Sequence, residues 1–371
     1  MKPRSWKACL LLLALPALGS SASMPAAEIS ADRPFRIQEV RLTVQEKTRP
    51  FDFLLGERID QIVPARQFVA FRSGRELWVK MEGLPVRTLD QLVDLPSGFD
   101  WYEHACAAGD RLVVAVSRYP EEQRLQEELS EIGEFRAGPE AAGFLVVDLG
   151  RRPRATFLES FKIVSRPPLQ EWDTETAEPQ VTLGMQSCAW DGDDLYVGDS
   201  GALARVDLDA GTADLLEEDM LGVNRPALVK DGDGLWYAAF LDSPWMGKWT
   251  PKGASSLDLE EGAAVDSLLK HRGRLLASSS EGVMEIDEKR RACVRYHLPE
   301  DPDGQAVYGL TLQHRKLLGV RDDGWVELDL GGRKAIRYRL EGPGADNRVL
   351  SIGWFDGDLY LGTVSGLVRV G

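Results

Sequence analysis

A short phrase recurs about every 40 residues along this chain, and it is the feature that most constrains the fold. The phrase is a turn, a strand, a Gly-bearing turn and a second strand, and its clearest copy spans Phe355 to Val370. A single sheet of such short strands cannot bury both of its faces alone, so neighbouring sheets must stack on one another. The first apolar residue of the second strand in each repeat is Phe68, Leu112, Leu195, Leu235, Leu275, Leu317 or Leu359.

The spacing of these seven residues predicts an all-β fold, a seven-bladed β-propeller that forms one domain over residues 28–371. Their gaps are 44, 83, 40, 40, 42 and 42 residues, and a blade of four strands occupies about 40–50 residues. The long gap holds one complete blade, because Gly143–Asp148 matches a third strand and Ala155–Leu158 a fourth. Blade two therefore carries insertions at 118–141 and 159–183. Six or eight blades are the alternatives.

Closure of the ring is predicted to involve the N-terminal part of the chain. The repeats reach Gly371 after the third strand of the last blade, while residues 35–44 read as a strand outside any repeat. An added outer strand removes an open sheet edge. We therefore expect the strand near 35–44 to complete the last blade.

The first insertion in blade two is predicted to be an amphipathic helix. Leu125, Leu129, Ile132 and Phe135 fall on one stripe, with acidic residues around it. The second insertion is rich in proline and predicts an ordered or semi-extended loop. Its Trp172 is an aromatic candidate for stacking on a sugar or an apolar partner, with plain packing as the alternative.

The first residues read as an export signal. Lys2, Arg4 and Lys7 precede the apolar run 8–18, and small residues follow, so residues 1–27 are predicted to be a cleaved signal peptide, with a retained anchor as the alternative. Cleavage would change the formal charge from −15 to −18. This acidic balance argues against nucleic acid and anionic lipid as partners. We expect a periplasmic or secreted protein with no membrane insertion after cleavage.

The consensus of the repeat resembles that of a known family. Asp356–Val370, Asp191–Asp207 and Asp231–Tyr237 are similar to the repeats of two-component-regulator-type propellers, and more broadly to the WD and quinoprotein-like propeller superfamily. Propellers of the first type are exported ligand-sensing domains of bacterial hybrid histidine kinases. The resemblance implies the propeller fold and a binding role.

The predicted topology places the long insertions on one face of the ring. Loops between the second and third strands and between blades emerge there, whereas the opposite face has two-residue Gly turns. Because function concentrates in elaborated loops on a rigid scaffold, this face is the candidate binding face. Candidate binding residues on its loops and at the central channel are Tyr102, His104, Trp172, Gln186, Asn224, Arg225, Trp245, Tyr308, Asn347 and Arg348, with Met185 and Asp266 as further channel residues. Arg225 and Arg348 could engage a carboxylate or a sugar acid.

The sequence contains few patterns that are typical of a catalytic or metal site. The four histidines are spread over several blades, which does not bring them together at one metal site. Neither acidic turn, at Asp191 or at Asp301, has the glutamate that an EF-hand loop needs. We predict no catalytic residue, no metal and no cofactor. Cys106 and Cys188 occupy similar places in successive blades, which leaves an interblade disulfide and two buried thiols as alternatives.

Two functions follow from these observations. The first is a binding or scaffold module for a partner protein, a small molecule or a sugar. The alternative is a propeller enzyme of the lactonase, glycan lyase or quinone-dependent dehydrogenase type, with its site at the channel mouth. That enzyme would need a titratable cluster, for which His104, Asp266 and Asp346 are the candidates.

Overall fold

The computed structural model describes most of the chain as seven β-sheets arranged as a ring. The described residues are 28–43, 58–95, 99, 101–118, 141–165, 180–181, 183–199, 202–218, 224–232, 234–240, 245–258, 265–289, 292–298, 306–313, 315–341 and 348–370. The predicted seven-bladed β-propeller is confirmed. Leu89–Gln91, a 3₁₀ turn in blade one, is the helical element among these residues, and none of their helices is long and apolar enough to cross a membrane.

Two N-terminal strands precede the ring: β1 (Glu28–Pro34) and β2 (Arg36–Thr43). Blade one consists of β3 (Gln61–Pro64), β4 (Phe68–Ser73), β5 (Glu76–Met81) and β6 (Arg87–Thr88). Blade two consists of β7 (Trp101–Ala108), β8 (Arg111–Arg118), β9 (Ala141–Asp148) and β10 (Arg154–Leu158). The next strands are β11 (Phe161–Ser165), β12 (Gln180–Val181) and the four of blade three, β13 (Ser187–Trp190), β14 (Leu195–Gly198), β15 (Ala202–Asp207) and β16 (Thr212–Glu218).

The remaining four blades follow in chain order. Blade four consists of β17 (Asn224–Asp231), β18 (Gly234–Phe240), β19 (Trp245–Thr250) and β20 (Gly253–Asp258). Blade five consists of β21 (Val265–His271), β22 (Arg274–Ser279), β23 (Gly282–Asp287) and β24 (Ala292–His297). Blade six consists of β25 (Gly309–Gln313), β26 (Lys316–Arg321), β27 (Gly324–Asp329) and β28 (Lys334–Glu341). Blade seven consists of β29 (Val349–Phe355), β30 (Asp358–Thr363) and β31 (Gly366–Val370).

The seven apolar residues from which the number of blades was predicted, Phe68 to Leu359, lie where the repeat placed them. Each is the first or second residue of the second strand of its blade, and every one of the seven is buried. The 83-residue gap does hold a single blade, because Gly143–Asp148 lies in β9 and Ala155–Leu158 lies in β10. Hairpin turns of the kind predicted are present: Asp356 and Gly357 have φ of 53° and 86°, the left-handed pair of a type I′ turn.

The prediction for the N-terminal strand near 35–44 is wrong about which blade receives it. Strand β2 pairs in parallel with β28, from Arg36 opposite Lys334 to Thr43 opposite Glu341, and so becomes the outermost strand of blade six. Strand β1 covers β24 of blade five in the same way. Blade seven has three strands among the described residues.

Local contacts decide this pairing. Phe35, the residue between β1 and β2, is buried against Tyr296 with 5.6 Å between the ring centroids. Asp32 accepts a hydrogen bond from Nδ1 of His297 at 2.7 Å and pairs with Arg295 at 3.2 Å. These contacts hold β1 on blade five, and the amide of Arg36 donates to the carbonyl of Arg333 at 2.8 Å, where β2 starts along blade six. The outer edges of both blades would otherwise be unpaired.

The two insertions of blade two have different outcomes. The residues predicted to form the amphipathic helix fall within 119–140, which lies outside the described residues. The second insertion was expected to be a loop over one face, but part of it is β-structure. Strand β11 runs parallel to β16 on the outer edge of blade three, and β12 pairs with β11. An edge strand offers free backbone hydrogen-bonding groups, and the chain leaving blade two reaches them directly.

The hydrophobic core lies between the blades. Seven clusters of buried side chains fill the seven interfaces between neighbouring blades, including the one that joins blade seven to blade one. At that closing interface, Phe71 packs on Tyr360 with 5.3 Å between ring centroids, and the amide of Ile59 donates to the carbonyl of Thr363 at 3.0 Å. Hydrophobic packing therefore closes the ring.

The close packing at the closing interface predicts that a side chain at Gly353 destabilises the protein, with Gly309 in an equivalent innermost strand as the control. A Cβ at Gly353 in β29 would lie 2.3 Å from Cγ2 of Ile62 in blade one, whereas a Cβ at Gly309 in β25 would meet Val320 at an ordinary 3.7 Å. We expect Gly353→Ala to lower the free energy of unfolding by about 1–3 kcal/mol through overpacking. Gly309→Ala, the matched control, should change it by less than about 0.5 kcal/mol. Urea unfolding followed by tryptophan fluorescence measures both, and equal effects would contradict this account of ring closure.

Candidate functional site

The ring leaves a central cavity of about 1460 Å³ that is lined mainly by the innermost strands. We call the face with the connections between second and third strands and between blades the upper face, and the face with the two hairpin turns of each blade the lower face. The cavity lining includes Ser73, Gly74 and Arg75, the upper turn of blade one, and extends to Trp190 at the lower end of β13. The cavity therefore crosses the thickness of the ring and reaches the upper face.

Gln61 in β3 holds the first two blades together at the cavity wall. Its Nε2 donates to the carbonyl of Ala105 at 2.8 Å, and its Oε1 accepts from the amide of Ala105 at 2.9 Å. Nε2 also lies 3.2 Å from Nε2 of His104, so that imidazole nitrogen must be the acceptor. Gln61 therefore fixes both the orientation and the tautomer of His104 in the cavity.

Charged side chains of blade one lie at the upper rim of the cavity. Arg58 pairs with Asp60 at 2.5 Å. Arg72 donates from Nε to Oε1 of Gln61 at 3.2 Å and from Nη1 to the carbonyl of Tyr102 at 2.9 Å, which ties blade one to blade two. The rim also includes Arg75 and Glu103, so both signs of charge are present.

Asp266 brings a carboxyl group to the wall that blade five contributes. The side chain is partly buried, and burial raises the pKa of Asp266 to about 7. Among the described residues no cation or hydrogen-bond donor contacts this carboxyl group closely enough to offset the loss of hydration. The carboxyl group can therefore accept hydrogen bonds from a molecule in the cavity.

Two thiols also line the cavity, in the innermost strands of blades two and three. Cys106 is buried and Cys188 is partly exposed, and both are free thiols. Of the two alternatives left open by the sequence, the structure has thiols at these positions rather than a disulfide. Within the described part of the chain, no three His, Cys, Asp or Glu side chains are grouped in a way that could hold a metal ion.

The structure brings some of the predicted site residues together. His104 and Gln186 line the cavity, as do Met185 and Asp266. Tyr308 and Arg348 lie on the upper face, just before β25 and β29, and are exposed. The hydroxyl of Tyr308 donates to Oδ2 of Asp322 at 3.0 Å.

Other predicted residues lie elsewhere or outside the described side chains. Tyr102 is not among the cavity residues; it packs against the core between blades one and two, and burial raises its pKa. Asn224 and Arg225 begin β17 and Trp245 begins β19, but their side chains are outside the description. Trp172 and Asn347 are outside the described residues altogether.

Sequence reasoning missed Gln61 and the two cysteines as members of the cavity wall. The period of two in a strand offered a signal for the cysteines, because Cys106 follows His104 by two residues and Cys188 follows Gln186 by two. Gln61 gave no such signal. Its blade has a short first strand of four residues, and its role depends on contacts with the next blade.

Comparison with solved structures supports the β-propeller fold. A scan against protein-family models finds no match, and a search of curated proteins finds none either. Among solved structures, this chain is similar to the extracellular domain of a hybrid two-component system of B. thetaiotaomicron, with a TM-score of 0.56 and 12% identity over 85% of this chain and 38% of that one.

Two further solved structures have similar TM-scores. PorZ, an essential bacterial surface component of the type-IX secretion system of Porphyromonas gingivalis, has a TM-score of 0.52 and 15% identity over 85% of this chain and 37% of that one. Streptogramin B lyase has a TM-score of 0.54 and 13% identity over 86% of this chain and 95% of that one. This chain spans less than half the length of the first two proteins. At these identities the likeness shows that the protein has a β-propeller fold.

The environment of Asp266 predicts how stability depends on pH. Because its pKa is raised on folding, the folded state prefers the protonated acid, so the free energy of unfolding should fall as the pH rises from about 4 to about 7. Asp266→Asn should therefore stabilise the protein at pH 8, by about 1–3 kcal/mol, and leave it nearly unchanged at pH 4. Thermal and urea unfolding at the two pH values measure this difference.

A second carboxylate gives a control of opposite sign. Burial favours the neutral form of Asp214, but a hydrogen bond from Ser165 and the ion pair with Arg205 prevail and lower its pKa. Asp214→Asn should therefore destabilise the protein at pH 8, and the effect should shrink as the pH falls through the lowered pKa. A stabilising effect of Asp266→Asn that is equal at both pH values would contradict the assignment of a buried, titrating carboxyl group.

Proposed function

We propose that this protein is an exported, non-catalytic propeller that binds a small polar ligand or a partner protein through its upper face. The central cavity carries this proposal, because it is a preformed space of about 1460 Å³ that reaches that face. Concave sites with a few converging polar groups are where proteins bind small molecules.

The polar groups of the cavity favour a ligand with several hydroxyl groups, such as a sugar. Gln186 supplies an amide, His104 a tautomer fixed by Gln61, and Asp266 a carboxyl group without a donor of its own among the described residues. Together these groups offer both donors and acceptors from the walls formed by blades two, three and five. A polyhydroxylated ligand can satisfy such a mixture without carrying a net charge.

The upper face also offers a surface for a partner protein. Tyr308 and Arg348 are exposed there, beside the mouth of the cavity. Aromatic and arginine side chains are the types most often enriched at protein interfaces. The lower face carries the short hairpin turns, which offer less surface for recognition.

Export and the class of partner rest on the sequence together with the fold. The charged and apolar N-terminal segment supports a periplasmic or secreted location. Two of the similar structures are the extracellular domain of a hybrid two-component system and a bacterial surface component, which agrees with that location and with a binding role. The formal charge of −15 disfavours nucleic acid as a partner.

The arrangement of titratable groups supports binding over catalysis. His104 belongs to blade two and Asp266 to blade five, so the two side chains face the cavity from different walls. Acid–base catalysis needs its two groups within hydrogen-bond reach of the same reacting atoms. Asp346, the third residue of the enzyme alternative, lies outside the described residues.

Site-specific photo-cross-linking in the source organism, together with native mass spectrometry of the purified protein, tests the proposal. The photoreactive residue p-benzoylphenylalanine replaces Tyr308 or Arg348 on the upper face, or the exposed Lys252 or Lys289 in hairpin turns of the lower face. We expect a discrete cross-linked partner from the upper positions only, or a bound small molecule whose occupancy falls in Asp266→Asn. Cross-links from the lower positions alone, or neither an upper cross-link nor a bound mass, would overturn the proposal.

A further inference from the structure

Two cysteines from neighbouring blades contact each other at the cavity wall. Cys106 lies in β7 of blade two and Cys188 in β13 of blade three, and these two innermost strands are adjacent. Cys188 packs against the buried cluster that contains Cys106, and the two thiols influence each other's ionisation. Neither is oxidised, so this position holds a dithiol.

The surroundings of Cys188 favour its thiolate form. Nε2 of His104 accepts from Gln61, which orients the imidazole, and the His104 side chain lies close enough to Cys188 to favour its charged form. The neighbouring Cys106 thiol and the His104 side chain outweigh burial and lower the pKa of Cys188 to about 6. The pKa of Cys106 is raised by its contact with Cys188 and by burial.

Access from the cavity distinguishes the two thiols further. Cys188 is partly exposed, whereas Cys106 is 5% exposed and its Sγ lies 3.8 Å from Sδ of Met185. Both line the central cavity, and Cys188 is the more exposed of the two. The third described cysteine, Cys293, is buried in the core between blades four and five and is not a cavity residue.

We propose that Cys188 and Cys106 form a redox-active dithiol that undergoes thiol–disulfide exchange with a disulfide-bearing molecule in the central cavity. The Cys188 thiolate attacks one sulfur of that disulfide, which forms a mixed disulfide and releases the first thiolate. Cys106 then loses its proton and attacks Sγ of Cys188, which closes the Cys106–Cys188 disulfide and releases the second thiolate. The protein loses two electrons and two protons, and the incoming disulfide gains them as two thiols.

This chemistry matches the division of roles that exchange requires. The attacking thiol must be accessible and ionised near neutral pH, and the resolving thiol must already contact it. Cys188 meets the first condition and Cys106 the second. The product would link the innermost strands of blades two and three at the cavity wall, so oxidation would change the chemistry of the site from two thiols to an apolar bridge.

Peptide-level mass spectrometry of the purified, reduced protein tests this inference, with glutathione disulfide as the oxidant probe. In the wild-type protein we expect a Cys106–Cys188 disulfide and two glutathione molecules released for each bridge. Cys106→Ser should accumulate glutathione on Cys188, because the resolving thiol is gone. Cys293→Ser should react like the wild type, and Cys188→Ser should react at least about tenfold more slowly.

A measurement on the wild-type protein keeps the test independent of how the variants fold. Under native conditions, a limiting amount of iodoacetamide should label Cys188 at least about tenfold faster than Cys293. Circular dichroism checks that each variant keeps its β-structure. Labelling of Cys188 no faster than that of Cys293, or the absence of a Cys106–Cys188 bridge after treatment with glutathione disulfide, would overturn the proposal. A bound ligand or partner on the upper face does not bear on this outcome, so the two proposals fail separately.

Discussion

Packing between the faces of neighbouring blades is the interaction on which the rest of the structure depends. A sheet of four short strands cannot protect its own faces, and here every interface between neighbouring blades holds a cluster of buried apolar side chains. The interface between blades one and seven is equivalent to the others, with Phe71 and Tyr360 in ring contact. Because each blade is stabilised from both sides, the ring is cooperative and the centre remains open.

The open centre explains where polar chemistry can accumulate. Apolar side chains are needed between the blades, so the innermost strands are free to present polar groups to the cavity. The carboxyl group of Asp266, which burial disfavours in its charged form, costs stability when it ionises, and the interblade packing offsets that cost. Gln61 joins these features, since it ties two blades together and orients the imidazole that contacts Cys188.

The sequence predicted elements that depend on local pattern and missed those that depend on a distant partner. Phe68 and the six equivalent apolar residues predicted the number of blades, because a buried apolar residue must recur in the second strand of each blade. Residues 35–44 were recognised as an outer strand, but their pairing with blade six was not predicted. Every outer edge offers the same backbone groups, and side-chain contacts such as Phe35 with Tyr296 make the choice. Tyr102 fails as a cavity residue for the same reason, since strand alternation alone does not say which face meets the core.

The amino-acid sequence by itself determined the all-β class, the seven-fold repeat and the division of blade two by long insertions. These follow from periodicity and turn chemistry, which act over a few residues. Only the tertiary structure decided which outer edges the N-terminal strands cover and which side chains meet in the cavity. Cys106 and Cys188 are 82 positions apart in the chain, and they come together because the closed ring places their innermost strands side by side. Such a contact is set by the geometry of the ring, and no local pattern encodes it.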